Sequence, residues 1–329
     1  MADTVLVTGA NGFLGRHLVA ELRQHGYAVR ALLRPGTAPP FPAAWAVECV
    51  AADLTRPATL AGAADGCAAI IHAAALAQVN PARNPAVWAV NLGGTEAVLQ
   101  LARTVGVARL VYVGTANVFG FGPLARPGDE TWPYAGQRYG LDYMDSKRAA
   151  TSLVLRAVAQ EQLPAVLVHP TFMLGPGDSK PTSNALLLEL HRGRLPGYPP
   201  GGKNYVHVRD VAVATVNALR QGRVGESYIL GNENLSYQAA FRLMARVLGV
   251  PPPRWPLPAG LARLYGESCD LKARLTGRPA QLNAAMAAVA NDGHYFSPAK
   301  ARAELALPQT PIEQAVAEAM AWFSLHQYV

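Results

Sequence analysis

Cysteine, metal-binding patterns and long apolar runs are scarce in this chain of 329 residues. Its three cysteines, Cys49, Cys67 and Cys269, are an odd number without C-x-x-C spacing, and its eight histidines show no metal-ligand pairing. We therefore expect no disulfide framework and no metal site, and a reducing compartment is favoured. The sequence shows neither a signal-peptide pattern nor an apolar stretch of membrane-spanning length, so we expect a cytoplasmic protein without a membrane partner.

Charge is also sparse, at 16% of the residues, and the net charge of +7 is spread along the chain. No more than two like charges are adjacent, as at Lys147-Arg148. Nucleic-acid binding requires a basic stripe or cluster, so we do not expect a nucleic-acid partner. Half of the residues are hydrophobic, which excludes a disordered chain and supports a full core.

Strand-like and helical patterns alternate through the first half of the sequence. Apolar runs at 5–8, 28–33, 45–51, 69–72, 110–113 and 165–169 predict strands. Helical patterns at 12–25, 85–105 and 139–161 lie between them. Such alternation predicts βαβ units, and therefore an α/β fold of the Rossmann type with a doubly wound parallel sheet.

Glycine- and proline-rich loops interrupt this pattern after Pro170. A helix at 211–220 and a strand at 227–230 are predicted to return to the sheet, and further helices are predicted at 237–248, 260–275 and 312–326. We therefore assign residues 1–171, with 206–231 returning to them, to a sheet domain. Residues 172–205 and 232–329 form a smaller, mainly helical lobe, and the cleft between the two should hold a small-molecule substrate.

The first strand runs directly into a glycine-rich turn, T-G-A-N-G-F-L-G. Gly9 would permit the tight turn, Gly12 the approach of a pyrophosphate to the backbone, and Gly15 the close packing of helix on strand. The N-terminus of the following helix would offer its N–H groups to the phosphates. The motif predicts a dinucleotide site in residues 1–171, the alternative being an ordinary glycine-rich connection.

The end of the second strand bears on which dinucleotide is bound. An NAD site normally has Asp or Glu there for the ribose hydroxyls, whereas this chain has Arg34, whose planar guanidinium suits a 2′-phosphate. The sequence therefore favours NADP, with NAD possible. Asp53, after the third strand, is placed to accept a hydrogen bond from the adenine amine or to cap a helix near 56–63.

A second motif, Y-M-D-S-K, places Tyr143 and Lys147 one helical turn apart on the same face. A free phenol has a pKa of about 10, so a nearby positive charge is needed to favour phenolate near neutrality. Lys147 supplies that charge. The pair predicts a site that moves a proton alongside a hydride.

These motifs resemble those of an extended short-chain dehydrogenase/reductase of the NAD-dependent epimerase/dehydratase superfamily. The nearest group is similar to dihydroflavonol-4-reductase-like and 3β-hydroxysteroid-dehydrogenase-like proteins. The resemblance covers essentially the whole length and also rests on H-A-A-A from His72, Asn91 with Gly94-Thr95, Y-V-G-T-A-N-V-F-G, H-P-T-F-M-L-G-P-G-D and G-G-K-N-Y-V-H-V.

The resemblance implies roles for three catalytic residues. Tyr143 would exchange a proton with the substrate oxygen, Lys147 would also hold the nicotinamide ribose, and Thr115 would hydrogen-bond the substrate oxygen. The family usually has two serines where this chain has Gly114-Thr115. Threonine retains the hydroxyl, so we expect function to survive with tighter steric limits on the substrate.

The resemblance also implies a wider set of contacts. Cofactor contacts are expected from Gly9, Asn11, Gly12, Phe13, Leu14, Gly15, Arg34, Asp53, Leu54, Ala73, Ala74, Tyr143, Lys147, His169 and Pro170. Candidate substrate contacts are Asn117, Phe119, Met173, Tyr205 and His207, each of which is also compatible with a place in the core. The side chain of His169 is expected to be structural.

Three functions are compatible with these residues. The first is an NADP-dependent carbonyl reductase or alcohol dehydrogenase, the second an NAD-dependent nucleotide-sugar epimerase or dehydratase, and the third a non-catalytic dinucleotide sensor. Nucleotide-sugar enzymes often carry Arg where this chain has Lys203, and Arg34 favours an exchangeable cofactor, so the reductase ranks first. The resemblance further implies a homodimer through helices 85–105 and 139–161, with which an apolar stripe of Leu141, Met144, Leu153 and Val154 is compatible.

Overall fold

The computed structural model describes residues 3–260, 264, 268 and 283–329. Within this part of the chain, seven parallel strands form one sheet in the order β3-β2-β1-β4-β5-β6-β9. Their bounds are β1 Thr4–Thr8, β2 Ala28–Leu33, β3 Glu48–Ala51, β4 Ala69–His72, β5 Arg109–Val113, β6 Ala165–Pro170 and β9 Ser227–Leu230. The predicted doubly wound α/β sheet is confirmed, and the segment after residue 206 returns to it as β9.

Helices cover both faces of this sheet. α1 (Phe13–Gln24) and α6 (Val208–Asn217) pack together on one face, where Leu18, Leu22 and Val211 join the core. α3 (Gly94–Val105) and α4 (Asp142–Glu161) cover the other face. β4 and β6 are buried along their whole length, because strands covered on both faces require continuous apolar runs.

The smaller lobe contains a mixed sheet in addition to its helices. β8 (Gly202–His207) pairs with β7 (Phe172–Leu174) and β11 (Gly293–His294) in parallel, and with β10 (Glu233–Ser236) antiparallel. The sequence analysis did not anticipate this sheet. The remaining described helices are α2 Pro85–Trp88, α5 Ala185–His191, α7 Tyr237–Leu248, and those over Ala284–Asn291, Ala299–Leu305 and Ile312–Leu325. The predicted helix at 260–275 lies largely outside the described residues.

Several predicted boundaries differ from the structure, and the helix predicted at 211–220 is found at Val208–Asn217. The strand predicted at 45–51 begins at Glu48, because residues Ala43–Trp45 form a 3-10 turn and Ala46 is left-handed. The helix predicted at 139–161 begins at Asp142, after a 3-10 turn that ends at Gly140 with φ of 60°. The helix predicted at 85–105 is interrupted by a π-helical segment, Ala89–Gly93, between α2 and α3.

Three further expectations from the sequence concern membrane-spanning helices, the cysteines and the dimer. Among the described residues, none of the helices combines the length and apolar character needed to cross a membrane. Cys49 is exposed and Cys67 is buried, both as free thiols, and Cys269 lies outside the described residues. Leu141, Met144 and Val154 are buried within their own chain and Leu153 is partly buried, so most of the apolar stripe that is compatible with a dimer is core rather than surface.

Candidate active site

The glycine-rich turn joins β1 to α1 beside the end of β4. Gly9 has φ of 70°, and a Cβ there would lie 2.7 Å from the Ala74 Cα atom. A Cβ on Gly15 would overlap the Gly9 carbonyl oxygen, so the third glycine allows α1 to start close to its strand, as predicted. α1 has neither a side-chain cap nor an acidic residue in its first turn. Its first N–H groups are therefore available to an anion.

Arg34 and Asp53 lie at the carboxyl ends of β2 and β3, which pair through Leu33 and Ala51. The Arg34 side chain is exposed. The Asp53 Oδ1 atom accepts hydrogen bonds from the Thr55 N–H (2.9 Å) and hydroxyl (2.8 Å), and these bonds lower the pKa of the carboxyl. Asp53 closes this turn and does not cap a helix at 56–63, where the structure has only the short 3-10 turn Pro57–Leu60.

A buried polar network supports the end of β4. The His72 ring nitrogens lie 2.7 Å from the Thr8 hydroxyl and 3.1 Å from the Thr95 hydroxyl, and the Ala74 N–H donates to the same Thr8 oxygen. Burial and the positive charge of Lys147 lower the pKa of His72 to about 3, so the ring is neutral. The network fixes Ala73 and Ala74 against Gly9. Leu54 is buried beneath α3 at Gly94.

Lys147 is buried, with 2% of its surface exposed. Its Nζ atom donates to the Val113 carbonyl oxygen at 2.7 Å and lies 4.6 Å from the centre of the Tyr112 ring. Burial lowers the pKa of the ammonium to about 7. The amine is therefore anchored at the end of β5, immediately before Gly114 and Thr115.

Tyr143 lies one turn earlier on α4 and is partly buried. Burial raises the pKa of its phenol, and a hydrogen bond with the Thr115 side chain acts in the opposite direction. Thr115 is itself 93% covered and accepts a bond from the Asn117 N–H at 3.4 Å. The structure thus brings Thr115, Tyr143 and Lys147 together. The Thr115 hydroxyl thus favours phenolate, an effect that the sequence analysis did not include, and the same effect of Lys147 stays a prediction.

The backbone of α4 is fixed by residues that sequence reasoning did not assign to the site. Asn91, in the π-helical segment, donates to the Ser146 hydroxyl at 3.1 Å, and Ser146 donates to the Tyr143 carbonyl oxygen at 3.0 Å. Asn91 also accepts a bond from the Leu76 N–H at 2.8 Å. A π-helical segment is a known marker of functional sites, but its position cannot be read from periodicity.

His169 and Pro170 end β6 opposite the end of β5. The His169 ring is fully buried, 3.2 Å from the Ser227 hydroxyl and in edge contact with Phe119. Burial, with a smaller effect of Lys147, lowers its pKa to about 3. A neutral ring enclosed in this way is structural, as the sequence analysis expected.

Comparison with known proteins identifies the family to which this chain belongs. The model of the NAD dependent epimerase/dehydratase family matches residues 5–231. The chain belongs to this family. It is an NAD(P)-dependent oxidoreductase-type enzyme of the extended short-chain dehydrogenase/reductase type.

Individual relatives match along nearly their whole length. A protein of Synechocystis sp. named "Putative dihydroflavonol 4-reductase" is 32% identical, over 100% of this chain and 97% of its own. Sterol demethylase protein B of Methylococcus capsulatus is 29% identical, over 97% of this chain and 98% of its own. The crystal structure of gox2253 superposes with a TM-score of 0.86 at 33% identity, covering 98% of each chain.

The substrate contacts predicted for this family member fall into two groups. Asn117 and Met173 are partly exposed. Phe119, Tyr205 and His207 are 6%, 0% and 1% exposed, in the same range as Thr115 and Lys147. Their role as substrate contacts stays a prediction.

Each of the three buried residues has a structural use. Phe119 packs on His169, and Tyr205 meets the edge of Phe172 in the lobe core. The His207 Nδ1 atom accepts the Arg209 N–H at 3.0 Å and so caps α6, while its Nε2 lies 3.3 Å from Glu318. Aromatic and imidazole side chains serve such roles as readily as they bind ligands, and the sequence offers no signal that separates the two.

An apolar cluster beside Tyr143 was not predicted. Its buried members are Tyr139, Leu141, Met144 and Val289. Partly buried side chains packed on them come from both parts of the molecule: Val79, Ala82, Phe121, Tyr134, Tyr143, Ala285 and Ala288. The helix Ala284–Asn291 thus reaches back from the lobe to Tyr143, a contact that no local pattern indicates.

Proposed function

We propose that this protein is an NADP-dependent carbonyl reductase or alcohol dehydrogenase acting on a mid-sized, largely apolar substrate. The observation that carries the proposal is the assembly of Thr115, Tyr143 and Lys147 at the end of β5, beside an apolar cluster. The comparisons support an oxidoreductase of this general type.

Each of the three residues has a role in reduction of a ketone. Thr115 holds the carbonyl oxygen through its hydroxyl, and Tyr143 donates the proton that turns that oxygen into a hydroxyl. The nicotinamide of the bound cofactor supplies the hydride to the carbonyl carbon. Lys147 holds the nicotinamide ribose and provides positive charge near the phenol. In alcohol oxidation each transfer runs in reverse.

The cofactor preference rests on the end of β2. Arg34 is exposed there, and no carboxylate follows the strand in the sequence to receive ribose hydroxyls. A guanidinium suits a phosphate, and an NAD site would favour an acid at this position. The uncapped N-terminus of α1 fits the pyrophosphate of either dinucleotide.

The substrate class rests on the surroundings of Tyr143. The cluster around it is built from aliphatic and aromatic side chains, which favour a substrate with apolar rings over a sugar. The names of two relatives, a dihydroflavonol reductase and a sterol demethylase protein, point in the same direction.

A nucleotide-sugar epimerase or dehydratase is the second candidate, favoured by one observation. The side chain of Lys203 has no hydrogen-bond or ion-pair partner among the described residues, and its Nζ lies 5.0 Å from the Phe172 ring centre. A cation without a partner would suit a diphosphate, although Lys is a poorer bidentate ligand than Arg. The non-catalytic sensor ranks last, because the three catalytic residues are all present.

The decisive experiment is purification followed by assay. We expect NADP(H) to be lost on dialysis, and NADPH to be oxidised in the presence of a panel of aromatic and alicyclic ketones, with Tyr143→Phe as the inactive control. Retained NAD together with interconversion of UDP-glucose and UDP-galactose, without net oxidation, would establish the second candidate and refute the first.

A further inference from the structure

A second arginine lies in the cavity that contains Arg34. This cavity, of about 400 Å³, opens at the carboxyl ends of β2 and β3. Arg34 and Thr37 line it from the β2 side, and Asp53, Arg56 and Thr59 from the β3 side. Two arginines from different strand ends therefore line one space.

Neither guanidinium is used within the protein. Arg34 and Arg56 are exposed, and within residues 3–260, 264, 268 and 283–329 neither has a hydrogen-bond or ion-pair partner for its side chain. Other arginines of the same domain are paired, such as Arg30 with Glu48 and Arg83 with Asp142. Two unpaired cations lining one cavity form a site with an excess of positive charge.

Among the described residues that line this cavity, the acidic one is Asp53, and its carboxylate interacts electrostatically with both arginines. Its pKa is lowered first by the hydrogen bonds from Thr55, and further by the positive charges of Arg56 and Arg34. Both arginines are therefore within electrostatic reach of one carboxylate. Among the described residues, no ion pair joins Asp53 to either arginine, and the hydrogen bonds to its Oδ1 atom come from Thr55.

Tight turns fix the backbone of both arginines. The Thr37 N–H donates to the Arg34 carbonyl oxygen at 3.0 Å. The Arg56 N–H donates to the Asp53 carbonyl oxygen at 2.8 Å, and the Thr59 hydroxyl donates to the Arg56 carbonyl oxygen at 2.8 Å. Because the backbones are fixed, a ligand in the cavity needs to order only the two side chains.

We propose that Arg56 is a second ligand of the cofactor 2′-phosphate, opposite Arg34, and that the pair determines selection of NADP over NAD. This inference rests on the proposed NADP dependence. A phosphate monoester carries a charge of about −1.5 to −2 near neutrality, which two guanidiniums neutralise better than one. An NAD ribose would leave both cations without a counter-charge.

The test compares four proteins: wild type, Arg34→Gln, Arg56→Gln and Arg242→Gln. Arg242 is an exposed arginine on α7 and controls for the loss of one positive charge. Dissociation constants are measured for NADPH and NADH by nucleotide fluorescence, and for 2′,5′-ADP and 5′-AMP by calorimetry. The last two probes isolate the 2′-phosphate from the nicotinamide.

We expect Arg56→Gln to weaken the binding of NADPH and of 2′,5′-ADP by about 10- to 100-fold, the usual effect of losing a charge-assisted hydrogen bond. The dissociation constants for NADH and 5′-AMP should change by less than about 2-fold, and those of Arg242→Gln should match wild type for every probe. The affinity for 2′,5′-ADP should also fall with added salt more steeply in wild type than in Arg56→Gln.

Failure of this inference is distinguishable from failure of the proposed cofactor. If wild type binds NADH as tightly as NADPH, the NADP assignment is wrong and the inference falls with it. If wild type prefers NADPH and Arg34→Gln loses that preference while Arg56→Gln keeps it, only the role of Arg56 is refuted. Equal weakening of NADPH and NADH in Arg56→Gln would show that the residue supports the turn rather than the phosphate.

Discussion

The replacement of the family's usual serine by Gly114 is explained by the His169 ring. A Cβ on Gly114 would lie 2.7 Å from the His169 Cε1 atom and closer still to Nδ1. Neither side can retreat, because the Gly114 N–H is bonded to the Val168 carbonyl oxygen at 2.7 Å and the ring is enclosed by Phe119 and Ser227. We therefore predict that Gly114→Ala is destabilising.

The size of the destabilisation follows from the steric overlap between the new methyl group and the His169 ring. Non-bonded carbon atoms are best separated by about 3.5–4.0 Å, so the new methyl group would intrude by about 1 Å. Overpacking of a core costs about 1–3 kcal/mol, and a site where two paired strands hold both partners belongs at the upper end. A loss of about 3 kcal/mol lowers the folding equilibrium constant by roughly two decades.

Urea unfolding of a double-mutant cycle measures this effect. Gly114→Ala and His169→Ala should each destabilise, but the double variant should recover about 2 kcal/mol or more relative to the sum, since the methyl group then occupies vacated space. Gly93→Ala is the matched control, because a Cβ there meets nothing within 4 Å. An additive cycle, or a Gly114→Ala variant as stable as wild type, would refute the steric explanation.

Four other predictions concern catalysis, cofactor, protonation and assembly. Tyr143→Phe should lower turnover by about two to four decades and leave cofactor affinity nearly unchanged, whereas the control Tyr27→Phe should be neutral. In steady-state kinetics, the turnover of Thr115→Val should lie between those of these two variants, and that of Thr115→Ser should lie near wild type. Arg34→Asp should shift the preference from NADPH toward NADH in paired titrations, and wild type that already prefers NADH would contradict it. Burial lowers the pKa of Lys147 to about 7 from 10.5, so in wild type its contribution to stability should rise as pH increases from about 7 to about 10.5. The free energy of unfolding of Lys147→Met should lack this rise, and parallel pH profiles would disprove it. A homodimer formed through α3 and α4 is expected, and sedimentation that shows a monomer at micromolar concentration would exclude it.

The sequence predicted the parts of the fold that local patterns determine. Strands such as β1 and β6 are apolar over their whole length, and the spacing of Gly9, Gly12 and Gly15 reflects steric needs within a single turn. The one-turn separation of Tyr143 and Lys147 is likewise a property of one helix. These features needed no knowledge of distant residues.

The parts that were missed depend on distant residues. β8 and β11 are short and pair Lys203 with His294, so neither is stable or recognisable alone. His207 caps a helix and Tyr205 fills a core only because segments far along the chain surround them. Burial of this kind is decided by tertiary packing, and the same residue types line ligand pockets elsewhere.

The contacts around Asp292 connect the two parts of the molecule beside the apolar cluster at Tyr143. Asp292 accepts hydrogen bonds from the Tyr139 hydroxyl at 2.5 Å and from Arg138 at 2.8 Å, and the neighbouring His294 ring stacks on Phe121 with centres 4.1 Å apart. The apolar cluster beside Tyr143 is therefore held in part by a segment that contains none of the three proposed catalytic residues. Under the proposed function, exchanging that segment between relatives should change substrate preference and leave Thr115, Tyr143 and Lys147 in place.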